Sequence, residues 1–265
     1  MKFHPALALL LAAVLPAMAA AKDYYVYFGT YSKAPSKGIY RSHFDTATGH
    51  LSPAELAIEA KDPSFIALHP NGKVLYAVDE SLDSKKTPGA NGIAAYSIDA
   101  KTGALKLINQ QSFEGSGPCH VSVDRDGHCV FIANYNTGSI AALPLDKDGR
   151  IGPVSSFVQH TGSSANRARQ SSPHAHSIYT TPDNRFVLSA DLGADKVFIY
   201  RFDAATGKLT SNEPAFATLP PGSGPRHLVF SPNSKFVYVI SEMLCTVTTF
   251  SYDAAKGALS PVDSI

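Results

Sequence analysis

The chain has 265 residues, with 23 Lys and Arg against 22 Asp and Glu and a formal net charge of +1. That balance excludes the basic excess that nucleic acid selects, and no block of like charge marks a tail. Three cysteines, Cys119, Cys129 and Cys245, are an odd number that cannot all pair internally.

Taken from the start, Lys2 precedes an apolar run over 6–15, then Pro16 and the small-residue stretch Ala17-Met-Ala-Ala-Ala21. A basic start, a short apolar centre and an A-x-A-like end describe a secretory signal peptide over residues 1–21, too short to span a bilayer comfortably. Its removal leaves roughly 244 residues, a length that suits one large all-β domain over 22–265.

Within that domain one phrase returns five times, an Asp, a few small residues, a Gly and an apolar residue. It runs from Asp45 to Gly49, Asp99 to Gly103, Asp146 to Gly149, Asp203 to Gly207 and Asp253 to Gly257, with glycines 54, 46, 58 and 50 residues apart. A repeat of that length built from short strands is the signature of a β-propeller of four-stranded blades. An incomplete unit of three strands is expected over 24–60, at 24–31, 39–45 and 50–58. Full blades follow over 63–113, 118–160, 173–219 and 225–265, about five units in all. Each opens with an apolar hairpin whose tip is Asn71-Gly72, Asp126-Gly127, Asp183-Asn184 or Asn233-Ser234, and such pairs favour the positive φ of tight turns. The flanking runs, such as Val74-Leu-Tyr-Ala-Val78 and Phe236-Val-Tyr-Val-Ile240, are nearly continuous in apolar residues. Strands buried on both faces read that way. The first unit lacks an innermost strand and the chain stops at Ile265 in an outer strand, so the ring is expected to be truncated at its C-terminal side. All three cysteines are expected to be small core residues. Cys119 and Cys129 flank the Asp126-Gly127 hairpin in a register that sets Cys129 beside Asp124, so no bond between the two is expected.

The chemistry-bearing residues concentrate in the loops that lead into each inner strand: Asp62-Pro-Ser64, Ser116-Gly-Pro-Cys-His120, Ser172-Pro-His-Ala-His176 and Ser223-Gly-Pro-Arg-His227. In a propeller these loops fall on one face around the axis, so His120, His174, His176, Arg226 and His227 are expected to converge. The inner hairpins end in a second polar set: Asp79-Glu80, Asn134-Tyr-Asn136, Asp191 and Glu242. Glu242 is placed to act as a base or to orient Arg226. Residues 160–172 form a long polar insertion, the kind of loop that is either a functional lid or disordered, and Arg167 and Arg169 within it could reach an anionic substrate. His174-x-His176 could pair at a metal, but no third ligand stands at a recognisable spacing and no metal is expected.

The run His160-Thr-Gly-Ser-Ser-Ala-Asn to Arg169-Gln170 and Pro173-His-Ala-His176, with Thr181-Pro-Asp-Asn-Arg185, Ala190-Asp-Leu-Gly-Ala-Asp195 and Gly224-Pro-Arg-His227, resembles the propeller-type lactonase family. So do the opening Tyr27-Phe-Gly-Thr-Tyr31 and Gly38-Ile-Tyr40. That family includes 6-phosphogluconolactonases of the cycloisomerase-2 type and carboxymuconate lactonizing enzymes. The resemblance, over 24–265, implies a seven-bladed ring, no cofactor, and a site of one His, one Arg and one Glu, with a further Arg beyond Ile265. By motif these are His176 or His174, then Arg226 and Glu242. The expected reaction is hydrolysis of a sugar lactone. Arg226 would stabilise the oxyanion, His176 or His174 would activate water, and Glu242 would orient Arg226 or shuttle a proton. His174, His120, Arg169 and His227 are the expected substrate contacts. The expected partner is a small lactone, with no nucleic acid and no membrane once the signal peptide is gone, and the expected location is periplasmic or secreted. A non-catalytic exported binding propeller and a lactonizing cycloisomerase are the alternatives. A pocket of convergent His, Arg and Glu would favour an enzyme, a broad apolar patch a partner.

Overall fold

The computed structural model describes residues 23–265. The signal peptide expected over 1–21 lies outside the described residues. Twenty strands form five antiparallel sheets, and no helix occurs among the described residues. The first sheet holds β1 (Asp23–Phe28), β2 (Gly38–Asp45), β3 (His50–Leu51) and β4 (Glu55–Glu59). β3 and β4 both pair with β2, so the third lane is a single interrupted strand and the unit has the three lanes expected.

Four complete blades follow, each a meander whose neighbours in space are neighbours in sequence. The second sheet is β5 (Ile66–Leu68), β6 (Val74–Val78), β7 (Asn91–Ile98) and β8 (Leu105–Ser112). The third is β9 (Pro118–Val123), β10 (Cys129–Asn134), β11 (Ser139–Pro144) and β12 (Ser156–Gln159). The fourth is β13 (Ala175–Thr180), β14 (Phe186–Asp191), β15 (Lys196–Asp203) and β16 (Lys208–Thr218). The fifth is β17 (Pro225–Phe230), β18 (Phe236–Ser241), β19 (Thr246–Asp253) and β20 (Ala258–Ser264). The hairpin tips take the left-handed backbone that their sequences favour, with φ of 70° at Gly72, 76° at Gly127, 59° at Asn184 and 58° at Ser234.

The core lies between sheets. Successive side chains of a strand point to opposite faces, so Val74, Tyr76 and Val78 pack against the third sheet while Leu75 and Ala77 pack against the first. Phe186 and Leu188 likewise face the fifth sheet, and Val187 faces the third. A continuous apolar run therefore means two layers filled at once. The expectation fails at Phe236-Val-Tyr-Val-Ile240. Val237 and Val239 are buried against the fourth sheet, but Tyr238 and Ile240 are 37% and 48% exposed. Among the described residues no further sheet packs on that outer face, so half the run has nothing to bury against.

The recurring Asp…Gly turn joins blades. Its Asp accepts the backbone N–H groups that follow, as Asp146 does from Asp148 and Arg150. In the last four copies its Gly meets the preceding blade. The Tyr76 hydroxyl donates to the Gly149 carbonyl at 2.9 Å, and a Cβ on Gly149 would lie 2.7 Å from a Val74 methyl at a φ of +79°. Only glycine meets both demands.

All three cysteines are free, and two depart from the expected core role. Cys129 is buried with its N–H on Asp124 at 2.7 Å, Cys119 is half-buried, and Cys245 is exposed in a tight turn at a φ of 54°. The turn is at the surface because it joins β18 to β19 outside either apolar layer.

Candidate active site

A repeated backbone irregularity aims side chains at one cavity. In three sheets the innermost strand carries one extra residue at the same place. Pro118 opposes Asn134 and His120 opposes Ala133, leaving Cys119 unpaired. Ala175 opposes Asp191 and Ser177 opposes Ala190, leaving His176. Pro225 opposes Ser241 and His227 opposes Ile240, leaving Arg226. A bulge of this kind re-aims a side chain and breaks the two-residue alternation. The start of β5 shares the loop geometry. The N–H of Glu80 donates to the Asp62 carbonyl as that of Tyr135 does to Gly117 and that of Glu242 to Gly224. Ser64 thus stands where Cys119, His176 and Arg226 stand, and Glu80, Tyr135 and Glu242 are equivalent across blades.

These two sets, with Tyr31, Phe65, Arg169 and His227, line a cavity of about 380 Å³. Glu242 is its centre. Arg226 Nε donates to Glu242 Oε2 at 3.1 Å, and Arg169 Nη2 donates to Oε1 at 2.8 Å and to the Tyr135 hydroxyl at 2.9 Å. His176 Nε2 lies 3.9 Å from Glu242 Oε2. Burial alone would raise the Glu242 carboxyl, but the hydrogen bond and charge of Arg169, then Arg226, outweigh it and hold the group below its usual range. The hydrogen bond to Glu242 raises Arg169. Burial first, then the Arg226 and His227 charges, push His176 down to about 4. Burial and Arg226 push His227 down to about 4. The site therefore holds neutral imidazoles beside two fixed guanidinium charges at neutral pH.

The polar insertion is built onto the fourth sheet. His160 Nδ1 donates to Asp191 Oδ2 at 2.7 Å, with both side chains fully buried. Asp195 gathers four donors: Gln170 Nε2 and the Gly224 N–H on Oδ1 at 2.8 and 2.7 Å, the Ser164 hydroxyl and the Gly222 N–H on Oδ2 at 2.5 and 2.6 Å. One buried carboxylate thereby ties the segment carrying Arg169 to the loop carrying Arg226. Gly193 allows the close fit, since a Cβ there would lie 1.9 Å from the Ser172 carbonyl oxygen.

Of the residues expected from sequence, His176, Arg226, Glu242, Arg169 and His227 meet in this cavity. His174 does not line it. Its Nδ1 donates to the Tyr135 carbonyl at 2.8 Å and its ring stacks on Tyr135 at 4.6 Å. The bulge at His176 is the reason that the two imidazoles diverge. His120 does not reach the cavity wall either. It is fully buried, 4.3 Å from the Phe65 ring and 5.5 Å from His227, and burial holds it well below its ordinary value. Arg167 is exposed and does not line the cavity. Among the described residues the one cluster with metal-ligand spacing is Asp124, Asp126 and His128, away from these side chains. Sequence reasoning missed Tyr31, Phe65 and Cys119 as wall residues, and named Ser64, Glu80 and Tyr135 only as members of the two polar sets, with no role assigned. Aligning the loops on the hairpin tips, rather than on their prolines, would have found Cys119.

The comparisons agree with this architecture. The family model described as "Lactonase, 7-bladed beta-propeller" matches residues 25–265. The chain is 36% identical over 243 residues to a 6-phosphogluconolactonase of Bacillus subtilis, covering 91% of this chain and 66% of that protein. It is 34% identical over 220 residues to a 6-phosphogluconolactonase of Formosa agariphila, covering 83% of this chain and 61% of that protein. The solved structure of the Pseudomonas aeruginosa periplasmic gluconolactonase superposes with a TM-score of 0.83 at 34% identity, over 92% of this chain and 68% of that one. The chain thus spans slightly less than two thirds of the curated relatives' length. By family model, by identity and by fold, it belongs to the seven-bladed β-propeller lactonases.

Proposed function

We propose that this chain hydrolyses the lactone of a sugar acid, as the names of its 6-phosphogluconolactonase relatives suggest. The observation that carries the reading is the convergence of His176, Arg169 and Arg226 on Glu242 in one cavity, from three separate segments. A polar pocket of this kind favours catalysis over a docking role.

Ring opening needs an acceptor for negative charge, a base for water and a proton for the leaving alkoxide. Arg226, held by Glu242, offers guanidinium N–H groups to the lactone carbonyl oxygen, where charge develops as water attacks. His176 is neutral at pH 7 and takes the water proton during attack. The resulting imidazolium forms beside Glu242, which offsets its burial. When the tetrahedral intermediate collapses, the carbon–ring oxygen bond breaks and His176 returns the proton to the departing oxygen. The carboxylic acid so formed releases the remaining water proton to solvent, which is the proton an indicator reads, and the aldonate leaves with its new carboxylate beside Arg169 and Arg226.

The test is a pH-indicator assay of the purified chain on D-glucono-1,5-lactone and its 6-phosphate, corrected for spontaneous hydrolysis. His176→Ala is expected to lower kcat by about 10²–10⁴-fold and Arg226→Ala by about 10²–10³-fold. Wild-type rates from His176→Ala would remove the base assignment, and formation of a lactone from an unsaturated diacid would favour the cycloisomerase.

Export belongs to the same proposal. It rests on the 1–21 segment and is supported by the periplasmic relative of Pseudomonas aeruginosa. N-terminal sequencing of protein from the periplasmic fraction should begin within residues 20–22, and an intact Met1 there would count against it.

A further inference from the structure

The cavity has a second carboxylate that the reaction above leaves unused. Glu80 holds in the second sheet the place that Glu242 holds in the fifth. The surroundings differ. Glu242 is ion-paired to two guanidinium groups. Glu80 has no ion-pair partner among the described residues, and its contact is neutral: the Tyr31 hydroxyl donates across both oxygens at 3.0 and 2.9 Å. Burial and Glu80 itself raise Tyr31, so the phenol remains a donor through neutral pH. A carboxylate offers about four acceptor positions and one phenolic proton fills one of them. The wall around Glu80 therefore presents open acceptor sites and negative charge to the cavity, opposite in character to the Arg169 and Arg226 wall.

Such a wall suits uncharged hydrogen-bond donors. Resting on the lactonase reading above, we propose that Glu80, oriented by Tyr31, binds the ring hydroxyls of a polyhydroxylated lactone and so distinguishes sugar lactones from unsubstituted ones. A six-membered sugar lactone has about a dozen non-hydrogen atoms and fits a cavity of this size. Its carbonyl faces Arg226 and its hydroxyls face Glu80. Hydroxyls bonded to a carboxylate are charge-assisted and worth more than neutral pairs.

The experiment compares two substrates that share a ring and differ in hydroxyls, D-glucono-1,5-lactone and δ-valerolactone, on the full chain. Glu80→Gln keeps the shape and removes the charge. It is expected to lower kcat/KM on gluconolactone about 10- to 100-fold, mainly through KM, and to leave δ-valerolactone within about twofold. Tyr31→Phe is expected to show the same selectivity with a smaller loss, a few-fold. Tyr31 is 53% exposed, so this variant carries the test even if Glu80→Gln fails to fold. Equal losses on both lactones would mean a structural role and overturn the inference, as would no loss on either. A wild-type chain that hydrolyses neither lactone would retire the lactonase reading and this inference with it. A wild type active on both with unselective variants would retire the inference alone.

Discussion

At the scale of single residues, burial controls the histidines. His176 and His227 are pushed to about 4, burial being the main cause in each, and His120 lies well below its ordinary value for the same reason. A free imidazole titrates at about 6.5. Between those values the unfolded chain binds protons that the folded chain refuses, so stability rises with pH there. It is complete above about pH 6.5, declines as pH falls toward 4, and its loss from His176 and His227 levels off below that. At His176 alone the effect is up to roughly 3 kcal/mol. Urea midpoints measured from pH 8 to pH 4 should fall accordingly. The pH–rate profile should show its acid limb near 4, and a limb at 6.5 would mean that a free surface imidazole is the base.

At the scale of elements, the site is assembled by connections that carry no chemistry themselves. Asp195 fixes the segments of Arg169 and Arg226 through four donors. An amide at that place offers one acceptor oxygen and turns two hydrogens toward existing donors. Asp195→Asn is expected to lower kcat/KM at least 10-fold, with the loss in kcat, because the guanidinium groups lose register. Steady-state kinetics with a thermal melt would check it, since a variant of unchanged kcat would show that the two loops hold without the carboxylate. The insertion that carries Arg169 reads in sequence as either a lid or a disordered loop. His160 and Gln170 settle the matter by being buried against Asp191 and Leu192, contacts that a linear reading does not contain. The inner hairpins were legible because Asn-Gly and Asp-Gly dictate local backbone. The bulges were not, because they arise from strand pairing, and that is why His174 and His120 were placed with the cavity residues.

At the scale of the whole molecule, stability resides in four apolar layers between adjacent sheets. Leu188 is fully buried in one of them, and Ile240 lies 48% exposed on the outer face of the fifth sheet. Leu188→Ala is expected to cost about 2–5 kcal/mol and Ile240→Ala less than about 1 kcal/mol, read from denaturant midpoints. Similar losses at both sites would mean that the outer face is covered in solution. The sequence alone determined the repeat, the hairpin tips, the apolar strands and the residue types available for lactone chemistry, because each depends on local backbone preference or on alternation along one strand. Only the tertiary structure decided which histidine faces the cavity, that Glu242 joins two arginines, and that Tyr31 and Glu80 form the opposite wall. Those facts depend on pairing register and on loops from different sheets meeting in space, and neither is encoded within any one segment.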